Sequence, residues 1–362
     1  MDQLFQNASI GEMSLRNRFV RSATAEGITD NCNVNDELVN IYRDLAKGGV
    51  GLIITGMSHI SKKGQSFPNM LGMEEDGRKP GLQKLTGVVH NKGAKIMAQL
   101  VHTGAKRLFD PGFPAEGPSA VKERTSQIEP VAMTQEDINT TVNDFAAAAK
   151  IAMQSGFDAV QFHAAHEYLL SAFLSPYSNQ RTDSYGGSIE NRARIIFEVY
   201  QAVREAVGQS FPVTIKINAK DYYDVGLEWK DSAWVCRELS AMGIDAIELS
   251  ASGGPDFFTI FSNIDNPEKE AYLESFAKEI KSQIKCPLIL VGGFRSLEVV
   301  ERVMREGAAD FFSMARPLIS EPDLIARWES GDRKKARCIS CCKCLFSVLQ
   351  NGTARCYTFE VE

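Results

Sequence analysis

Short apolar runs alternate along this chain with longer segments of helical periodicity. The apolar runs have the length and composition of buried strands and are bounded by glycine, proline or polar residues. The segments between them repeat apolar residues every three or four positions, as an amphipathic helix does. Strands are predicted at residues 18–20, 51–55, 95–100, 159–162, 213–217, 246–250, 287–291 and 310–314. Helices are predicted at residues 36–47, 81–91, 134–154, 189–207, 231–242, 268–282 and 296–306.

This alternation predicts a parallel sheet, because each helix returns the chain to the start of the next strand. Eight such units in about 300 residues fit an α/β fold of the (β/α)8 TIM-barrel type better than an open doubly wound sheet. We find no internal linker and predict one barrel domain over residues 1–331. A run of Lys and Arg then leads into a cysteine-rich tail, residues 332–362.

A barrel carries its functional groups at the C-terminal ends of its strands. The fourth predicted strand ends in the most prominent set, His163, His166 and Tyr168. Two imidazoles and a phenol can bind or protonate a small polar oxygen. The alternative is that these side chains are satisfied polar groups at a strand end.

Two other strand ends indicate a phosphate site. Gly292 and Gly293 follow the seventh predicted strand, and Ala315 and Arg316 follow the eighth. Glycines let backbone N–H groups approach a phosphate, and an arginine can add a bidentate contact. The glycines alone could simply form a tight turn, but their pairing with Arg316 favours phosphate binding.

Gln99 and Lys216 lie at the ends of the third and fifth predicted strands. A side-chain amide can pair with the edge of a flat heterocycle, and a nearby lysine can stabilise negative charge on that ring. Lys216 could equally be a buried lysine paired with an acidic residue.

Charge and hydropathy exclude several classes of protein. The formal net charge of −6 argues against a general nucleic-acid binder. Apolar runs stay well short of the roughly 20 residues of a membrane span, and the N-terminus lacks the pattern of a secretory signal. We therefore expect a cytoplasmic enzyme with a small-molecule substrate and neither nucleic acid nor membrane as a partner. Homo-oligomer formation is left open.

Cysteines crowd the C-terminal end of the chain. In a cytosolic protein, clustered cysteines indicate metal or redox chemistry more than disulfides. The spacing predicts an iron–sulfur or zinc site, with free thiols as the alternative. The candidate ligands are Cys338, Cys341, Cys344 and Cys356, and Cys342 lies among them.

The segment HAAHEYLLSAFLSPYSNQRTDSYGGSIENRAR resembles the signature of the Old Yellow Enzyme family of FMN-dependent oxidoreductases. Supporting matches lie at residues 17–24, 98–102, 117–119 and 291–293, and the resemblance runs from about residue 4 to about residue 328. It implies a TIM barrel holding FMN, with NAD(P)H as hydride donor. The implied activity is that of an ene-reductase, in which hydride passes through FMN to an α,β-unsaturated carbonyl compound.

The resemblance also implies roles for single residues. The backbone near Ser22, Ala23 and Thr24 flanks the flavin N5 side, Gln99 pairs with the pyrimidine edge, and Lys216 steadies the reduced ring. His163 and His166 bind the substrate carbonyl oxygen, and Tyr168 donates the proton. The assigned cofactor-binding residues are Ser22, Ala23, Thr24, Gly56, Gln99, Lys216, Gly292, Gly293, Ala315 and Arg316.

Alternatives remain within the family and outside it. The tail is similar to the cluster segment of the 2,4-dienoyl-CoA reductase branch, but has two residues instead of three between its second and third ligands. A dienoyl reductase with an iron–sulfur tail, or an amine dehydrogenase or demethylase, is therefore an alternative. From another class, a non-redox lyase or aldolase could use Lys216 as a Schiff-base nucleophile and Arg316 as a phosphate clamp.

Three smaller interpretations concern the surroundings of the site. The loop at residues 107–121 is a candidate lid, whose Arg107, Phe109 and Phe113 could contact substrate or simply pack. Phe257 and Phe258 could line the substrate space, but packing is the favoured interpretation. Glu167, between His166 and Tyr168, is either a surface residue or a charge at the rim of the site, and we favour the surface.

Overall fold

The structure is a computed structural model that describes residues 3–351 and 353–359. Eight parallel strands form a closed barrel, in which each strand pairs with the next and the last pairs with the first. The predicted TIM barrel is therefore confirmed. The strands are β1 Phe19–Arg21, β2 Leu52–Ile54, β3 Lys95–Val101, β4 Ala159–Ala164, β5 Val213–Asp221, β6 Ala246–Ser252, β7 Leu288–Val291 and β8 Phe311–Met314.

Helices connect the strands and cover the outside of the barrel. Two differences from prediction stand out. The predicted helix 189–207 is divided at Ala193. An unpredicted helix, Gly254–Ser262, precedes the predicted helix 268–282, of which only Glu274–Lys281 is an α-helix. The helices are α1 Asp36–Lys47, α2 Lys79–His90, α3 Gln135–Gln154, α4 Leu169–Leu174, α5 Ile189–Arg192, α6 Arg194–Val207, α7 Trp229–Met242, α8 Gly254–Ser262, α9 Glu274–Lys281, α10 Leu297–Arg305, α11 Arg316–Ser320, α12 Leu324–Glu329 and α13 Lys343–Asn351.

The central strands are buried on both faces, which explains their apolar sequences. Every residue of β4 is buried, with one face toward the barrel interior and the other under the helices. Phe162 of β4 packs edge-on against Phe145 of α3, with ring centroids 6.1 Å apart. Helix α3 begins in a capping box, in which the Thr134 side chain accepts from the Asp137 N–H and the Asp137 side chain accepts in return.

A short hairpin closes the N-terminal end of the barrel. Strands Ala8–Ile10 and Met13–Leu15 pair antiparallel, and Gly11 between them has a φ of 53°, which glycine adopts without strain. Ile10, Met13 and Leu15 pack in one apolar cluster with residues of the barrel strands, including Val20 and Leu52. The opposite, C-terminal end of the barrel is therefore the end available for a functional site.

Strand register brings polar residues to one level inside the barrel. His163 of β4 is the register partner of Lys216 of β5, and Lys216 is the partner of Glu248 of β6. One layer below, Gln161 of β4 is the partner of Gln99 of β3. The register alone thus places a histidine, a lysine and a glutamate side by side on three neighbouring strands.

The lengths and polarity of the helices decide whether any of them could cross a membrane. In residues 3–351 and 353–359, every helix is too short or too polar to cross a bilayer.

Replacement of Phe162 by alanine is expected to destabilise the barrel by about 3–5 kcal/mol, because it removes a fully buried ring and leaves a cavity. Urea unfolding followed by circular dichroism measures this loss. Val131→Ala is the control, because Val131 is 58% exposed and its truncation removes little buried surface. Equal unfolding midpoints for the two variants would contradict the assigned packing.

Candidate active site

A cavity of about 720 Å³ opens at the C-terminal end of the barrel. This volume lies within the usual range for a ligand or cofactor site. Strand ends, the loop after β3, the turn after β4, α8 and the tail all contribute to its wall. Among the residues predicted from the sequence, those that line it are Ser22, Ala23, Thr24, His166, Tyr168, Lys216, Gly293, Ala315 and Arg316.

The other predicted site residues of the barrel lie behind this wall. Gln99 is buried and donates from Nε2 to Gln161 Oε1 at 2.7 Å. The Gly56 N–H donates to the Tyr42 hydroxyl at 3.0 Å, and a Cβ at Gly56 would collide with the Glu26 carboxylate. Gly292 is buried, and its carbonyl accepts from the Tyr272 N–H at 3.3 Å. Their assigned contacts with a cofactor stay predictions.

Lys216 combines two properties at the floor of the cavity. Its ammonium lies 3.0 Å from Glu248 Oε1 and donates to Ser22 Oγ at 3.1 Å. Lys216 is therefore a buried lysine paired with an acid, and it also lines the cavity.

Glu248 was not singled out from the sequence, although it carries the largest number of polar contacts at the floor. It is fully buried and also accepts from Ser313 Oγ at 2.8 Å and Gln161 Nε2 at 3.0 Å. A lone acidic residue inside the apolar run of β6 was the available signal, because a buried carboxylate needs partners.

His163, His166 and Tyr168 form one aromatic cluster at the rim. The His163 ring centroid lies 4.9 Å from both the His166 and Tyr168 centroids, and both pairs meet edge-on. His163 is buried behind the other two, and its Nδ1 accepts from the Ala165 N–H at 3.2 Å. His166 Nε2 lies 2.7 Å from Ser250 Oγ, which fixes the orientation of its ring.

Burial decides the charge state of this cluster. Desolvation lowers the pKa of His163 and of His166 well below the usual value, and the nearby Lys216 and Lys106 act in the same direction. Desolvation also raises the pKa of Tyr168, although Lys106 opposes this shift. At neutral pH the cluster therefore presents two neutral imidazoles and a protonated phenol.

Glu167 was interpreted as a surface residue, and this interpretation is wrong. Its side chain is only 13% exposed, lines the cavity and lies 2.7 Å from the Lys106 ammonium. A partly buried charge at a cavity rim is stabilised by a nearby opposite charge. The sequence alone did not reveal that Lys106, from another loop, supplies this charge.

Phe257 and Phe258 also differ from their interpretation as packing residues only, because both line the cavity. They lie on α8, which the sequence pattern did not predict. Phe257 stacks on Tyr222, with centroids 5.2 Å apart, and this contact holds α8 beside the strand ends. The helix thus presents an aromatic wall to the site.

In the loop after β3, Leu108 lines the cavity, whereas Arg107 is buried and anchors the loop. Arg107 donates from Nη2 to the Lys63 carbonyl at 2.6 Å and from Nη1 to the Phe113 carbonyl at 2.8 Å. Phe113 is 42% exposed. The loop therefore borders the site through Leu108, held in place by Arg107.

The backbone is closely packed at Gly293, at the end of the site where a phosphate is predicted to bind. Gly293 has a φ of 75°, and a Cβ there would collide with the Ile264 side chain, so glycine is required. Arg316 lies between the large cavity and a small second one, and it lines both. Its Nη1 donates to Cys342 Sγ at 3.1 Å.

The tail cysteines gather around the small cavity, which holds about 20 Å³, the space of roughly one water molecule. Burial raises the pKa of the Cys344 thiol to about 11. In residues 3–351 and 353–359, no group of three or more His, Cys, Asp or Glu side chains is arranged to hold a metal ion. This finding concerns a single metal ion, so the iron–sulfur or zinc site predicted at these cysteines stays a prediction. The cysteines that line the small cavity are Cys338, Cys341, Cys342, Cys344 and Cys356.

The large cavity, in contrast, fits a flat anionic cofactor such as FMN. Lys216 at the floor and Arg316 at one end supply positive charge. Gly293 has no Cβ, so its backbone can approach a bound phosphate closely. The donor set therefore suits a ring at the strand ends with a phosphate near Arg316.

Comparison with known proteins gives a consistent result. Residues 3–335 match the NADH:flavin oxidoreductase / NADH oxidase family. A metal reductase of Desulforamulus reducens is 35% identical over 359 residues, which are 98% of this chain and 53% of that protein. An NADPH dehydrogenase of Bacillus subtilis is 33% identical over 324 residues, which are 88% of this chain and 92% of that protein.

A solved structure is also similar over nearly the whole chain. A 2-naphthoyl-CoA reductase in complex with 2-naphthoyl-CoA superimposes with a TM-score of 0.91 and 26% identity, covering 98% of this chain and 56% of that one. The chain thus spans about half the length of this reductase and of the metal reductase.

Acid is expected to destabilise the fold through His163 and His166. Their folded-state pKa values are lowered by burial, so below about pH 6.5 the unfolded chain binds more protons than the folded one. Stability should fall with decreasing pH by up to about 1.4 kcal/mol per pH unit for each histidine. Urea unfolding between about pH 7.5 and about pH 5 measures this slope. The double variant His163→Gln/His166→Gln should have a flatter slope, and equal slopes would refute the assignment.

Proposed function

The chain belongs to the NADH:flavin oxidoreductase / NADH oxidase family, and from this premise we propose that it is an FMN-dependent ene-reductase. The family match confirms the resemblance to the Old Yellow Enzymes, which use FMN with NAD(P)H. In the proposed reaction, a hydride from NAD(P)H reaches the activated alkene of an α,β-unsaturated carbonyl compound. The observation that carries the proposal is the cluster of His163, His166 and Tyr168 above the Lys216 floor.

Bound FMN would supply the hydride chemistry, and the protein would supply charge and geometry. Lys216 would stabilise negative charge on the ring, and the Glu248 carboxylate would hold the lysine in place for this role. Arg316 and the backbone at Gly293 would hold the phosphate. The cofactor-binding roles predicted for Gln99, Gly56 and Gly292 remain part of this proposal. These three residues lie behind the side chains that line the cavity.

The hydrogen bonds of the two histidines support a role in binding a carbonyl oxygen. Because His163 Nδ1 accepts the Ala165 N–H, the neutral ring carries its proton on Nε2. His166 can donate from Nδ1 if the Ser250 hydroxyl donates to its Nε2. Two neutral N–H donors would then stabilise the oxygen as negative charge develops on it.

Tyr168 is proposed to protonate the α-carbon of the substrate. Because its pKa is raised by burial, the phenol keeps its proton at neutral pH and is available as a general acid. Lys106, 6.0 Å from the ring centroid, would then stabilise the phenolate left after the transfer.

The upper part of the cavity supports a flat, largely apolar substrate. Its wall there includes Phe67, Leu108, Phe257 and Phe258. The similar 2-naphthoyl-CoA reductase structure was solved with 2-naphthoyl-CoA, whose aromatic ring is conjugated to a carbonyl group. This likeness supports conjugated aromatic or aliphatic carbonyl compounds as the substrate class.

The lyase or aldolase alternative is less well supported. A Schiff-base lysine needs a free amine, whereas the Lys216 ammonium is paired with Glu248 at 3.0 Å. The iron–sulfur dienoyl reductase stays an alternative, because the five tail cysteines line one small cavity beside Arg316. An amine dehydrogenase would use the same flavin site, and a substrate screen separates it from an ene-reductase. The domain division at residue 331 and a cytoplasmic location are retained as proposals.

Arg316→Ala is expected to weaken FMN binding by roughly tenfold to a hundredfold, because it removes charge-assisted hydrogen bonds to the phosphate. Riboflavin lacks the phosphate, so its affinity should be nearly unchanged. Quenching of flavin fluorescence during titration of the apoprotein measures both affinities. Equal losses for the two flavins would place the phosphate elsewhere, and a protein that binds neither would refute the proposed function.

Tyr168→Phe is expected to slow reduction of 2-cyclohexenone by about a hundredfold or more, because it removes the general acid. Reduction of the bound flavin by NADPH should keep its wild-type rate, since that half-reaction does not use the phenol. Stopped-flow absorbance of the flavin separates the two half-reactions. An equal loss in both would contradict the assigned role.

A further inference from the structure

The turn that carries Glu167 has an unusual backbone. His166 and Glu167 have φ angles of 58° and 64°, so two consecutive residues with a Cβ adopt the left-handed conformation. Steric contact between Cβ and the backbone disfavours this conformation for every residue except glycine. Contacts with the rest of the fold must therefore hold the turn in place.

Lys106 makes these contacts from the loop after β3. Its ammonium donates to the His166 carbonyl at 3.0 Å and to Glu167 Oε2 at 2.7 Å. The lysine is itself fixed at its backbone, because its carbonyl accepts from Ser66 Oγ at 3.0 Å. The side chains of Lys106 and Glu167 are 23% and 13% exposed, so water screens this pair only partly.

The turn determines where the reacting side chains lie. His166, at its start, donates its backbone N–H to Asn218 Oδ1 at 3.3 Å and has its ring beside Ser250. Tyr168, immediately after Glu167, begins helix α4 as its N-cap residue. A change in the backbone at Glu167 would therefore move the two rings relative to each other.

The same ion pair also acts electrostatically on Tyr168, and the Lys106 ammonium lies 6.0 Å from the centroid of its ring. The charged or titratable groups around Tyr168 are Lys106 and Glu123 from the loop after β3, Glu167 from its own turn, and His163 from β4. Lys106 is the cation of this set, and Glu167 partly offsets its charge. Burial raises the pKa of Tyr168, whereas Lys106 lowers it.

We propose that Glu167 is a positioning residue for the alkene reduction proposed above. Through its ion pair with Lys106 it fixes the left-handed turn that aims His166 and Tyr168, and it sets the net charge that the Tyr168 hydroxyl meets. The part that concerns proton transfer rests on the proposed function, whereas the charge beside Tyr168 does not.

Two substitutions separate these effects. Glu167→Gln keeps the length of the side chain and an oxygen acceptor for Lys106, but removes the negative charge. Glu167→Ala keeps a Cβ, which disfavours the left-handed backbone, and removes the contact with Lys106 altogether. The control is Glu306→Gln, which removes the carboxylate that pairs with Lys278 at 2.6 Å on the outer helices.

The first measurement does not depend on activity. Tyrosinate absorbance is recorded against pH for each protein and for the same protein with Tyr168→Phe, so that the difference isolates Tyr168. With Glu167→Gln, the uncompensated Lys106 charge should move this titration to lower pH, because it favours the phenolate. Glu306→Gln should titrate as the wild type does.

The second measurement follows the two half-reactions of the holoenzyme by stopped flow. Glu167→Ala should slow oxidation of the reduced flavin by 2-cyclohexenone about tenfold, because the general acid is no longer aimed, while reduction by NADPH stays unchanged. A titration of Tyr168 that is identical in the wild type and Glu167→Gln, or a wild-type oxidation rate in Glu167→Ala, would overturn the proposal. If Tyr168→Phe itself reduces the alkene normally, the proposed function fails, and the titration alone decides the role of Glu167.

Discussion

One buried carboxylate organises the interior of this barrel. Glu248, fully buried on β6, accepts hydrogen bonds from Ser22, Gln161, Lys216 and Ser313. These partners come from β4, β5 and β8 and from the residue after β1, so one side chain connects the ends of five strands. A buried charge is tolerated only with such partners, and loss of one member of such a pair typically destabilises a protein by about 3–5 kcal/mol. The positions of the other polar groups follow from this constraint.

The Glu248 network separates the cavity into two chemical zones. Below, Lys216 is held at a fixed place, and Gln161 passes the hydrogen-bond chain on to Gln99. Above, the rim carries neutral imidazoles, a phenol, the Lys106–Glu167 ion pair and the aromatic side chains of α8. A charged floor and an apolar upper wall suit a cofactor that gains negative charge beneath a neutral, unsaturated substrate.

The tail contributes to the same cavity from the side. Leu345, Val348 and Ala354 line it, and the Ala354 N–H donates to the Glu26 carbonyl at 3.1 Å. Arg316 connects the tail to the site because its guanidinium lies between the large cavity and the cysteine-lined one. The tail is thus part of the wall, although the sequence separates it from the barrel by a change in composition.

Sequence by itself determined the strands, most of the helices, the TIM barrel and the family, because these depend on local periodicity and on one long motif. It also pointed to His166, Tyr168, Lys216 and Arg316, which lie in or after the strands at the C-terminal side of the barrel and all line the cavity. Tertiary structure alone decided which partners these residues meet. Glu248 and Lys106 lie 32 and 60 residues from Lys216 and His166, and α8 depends on ring contacts with Tyr222. Such pairings depend on strand register and loop paths, which leave no periodic signal in a single chain.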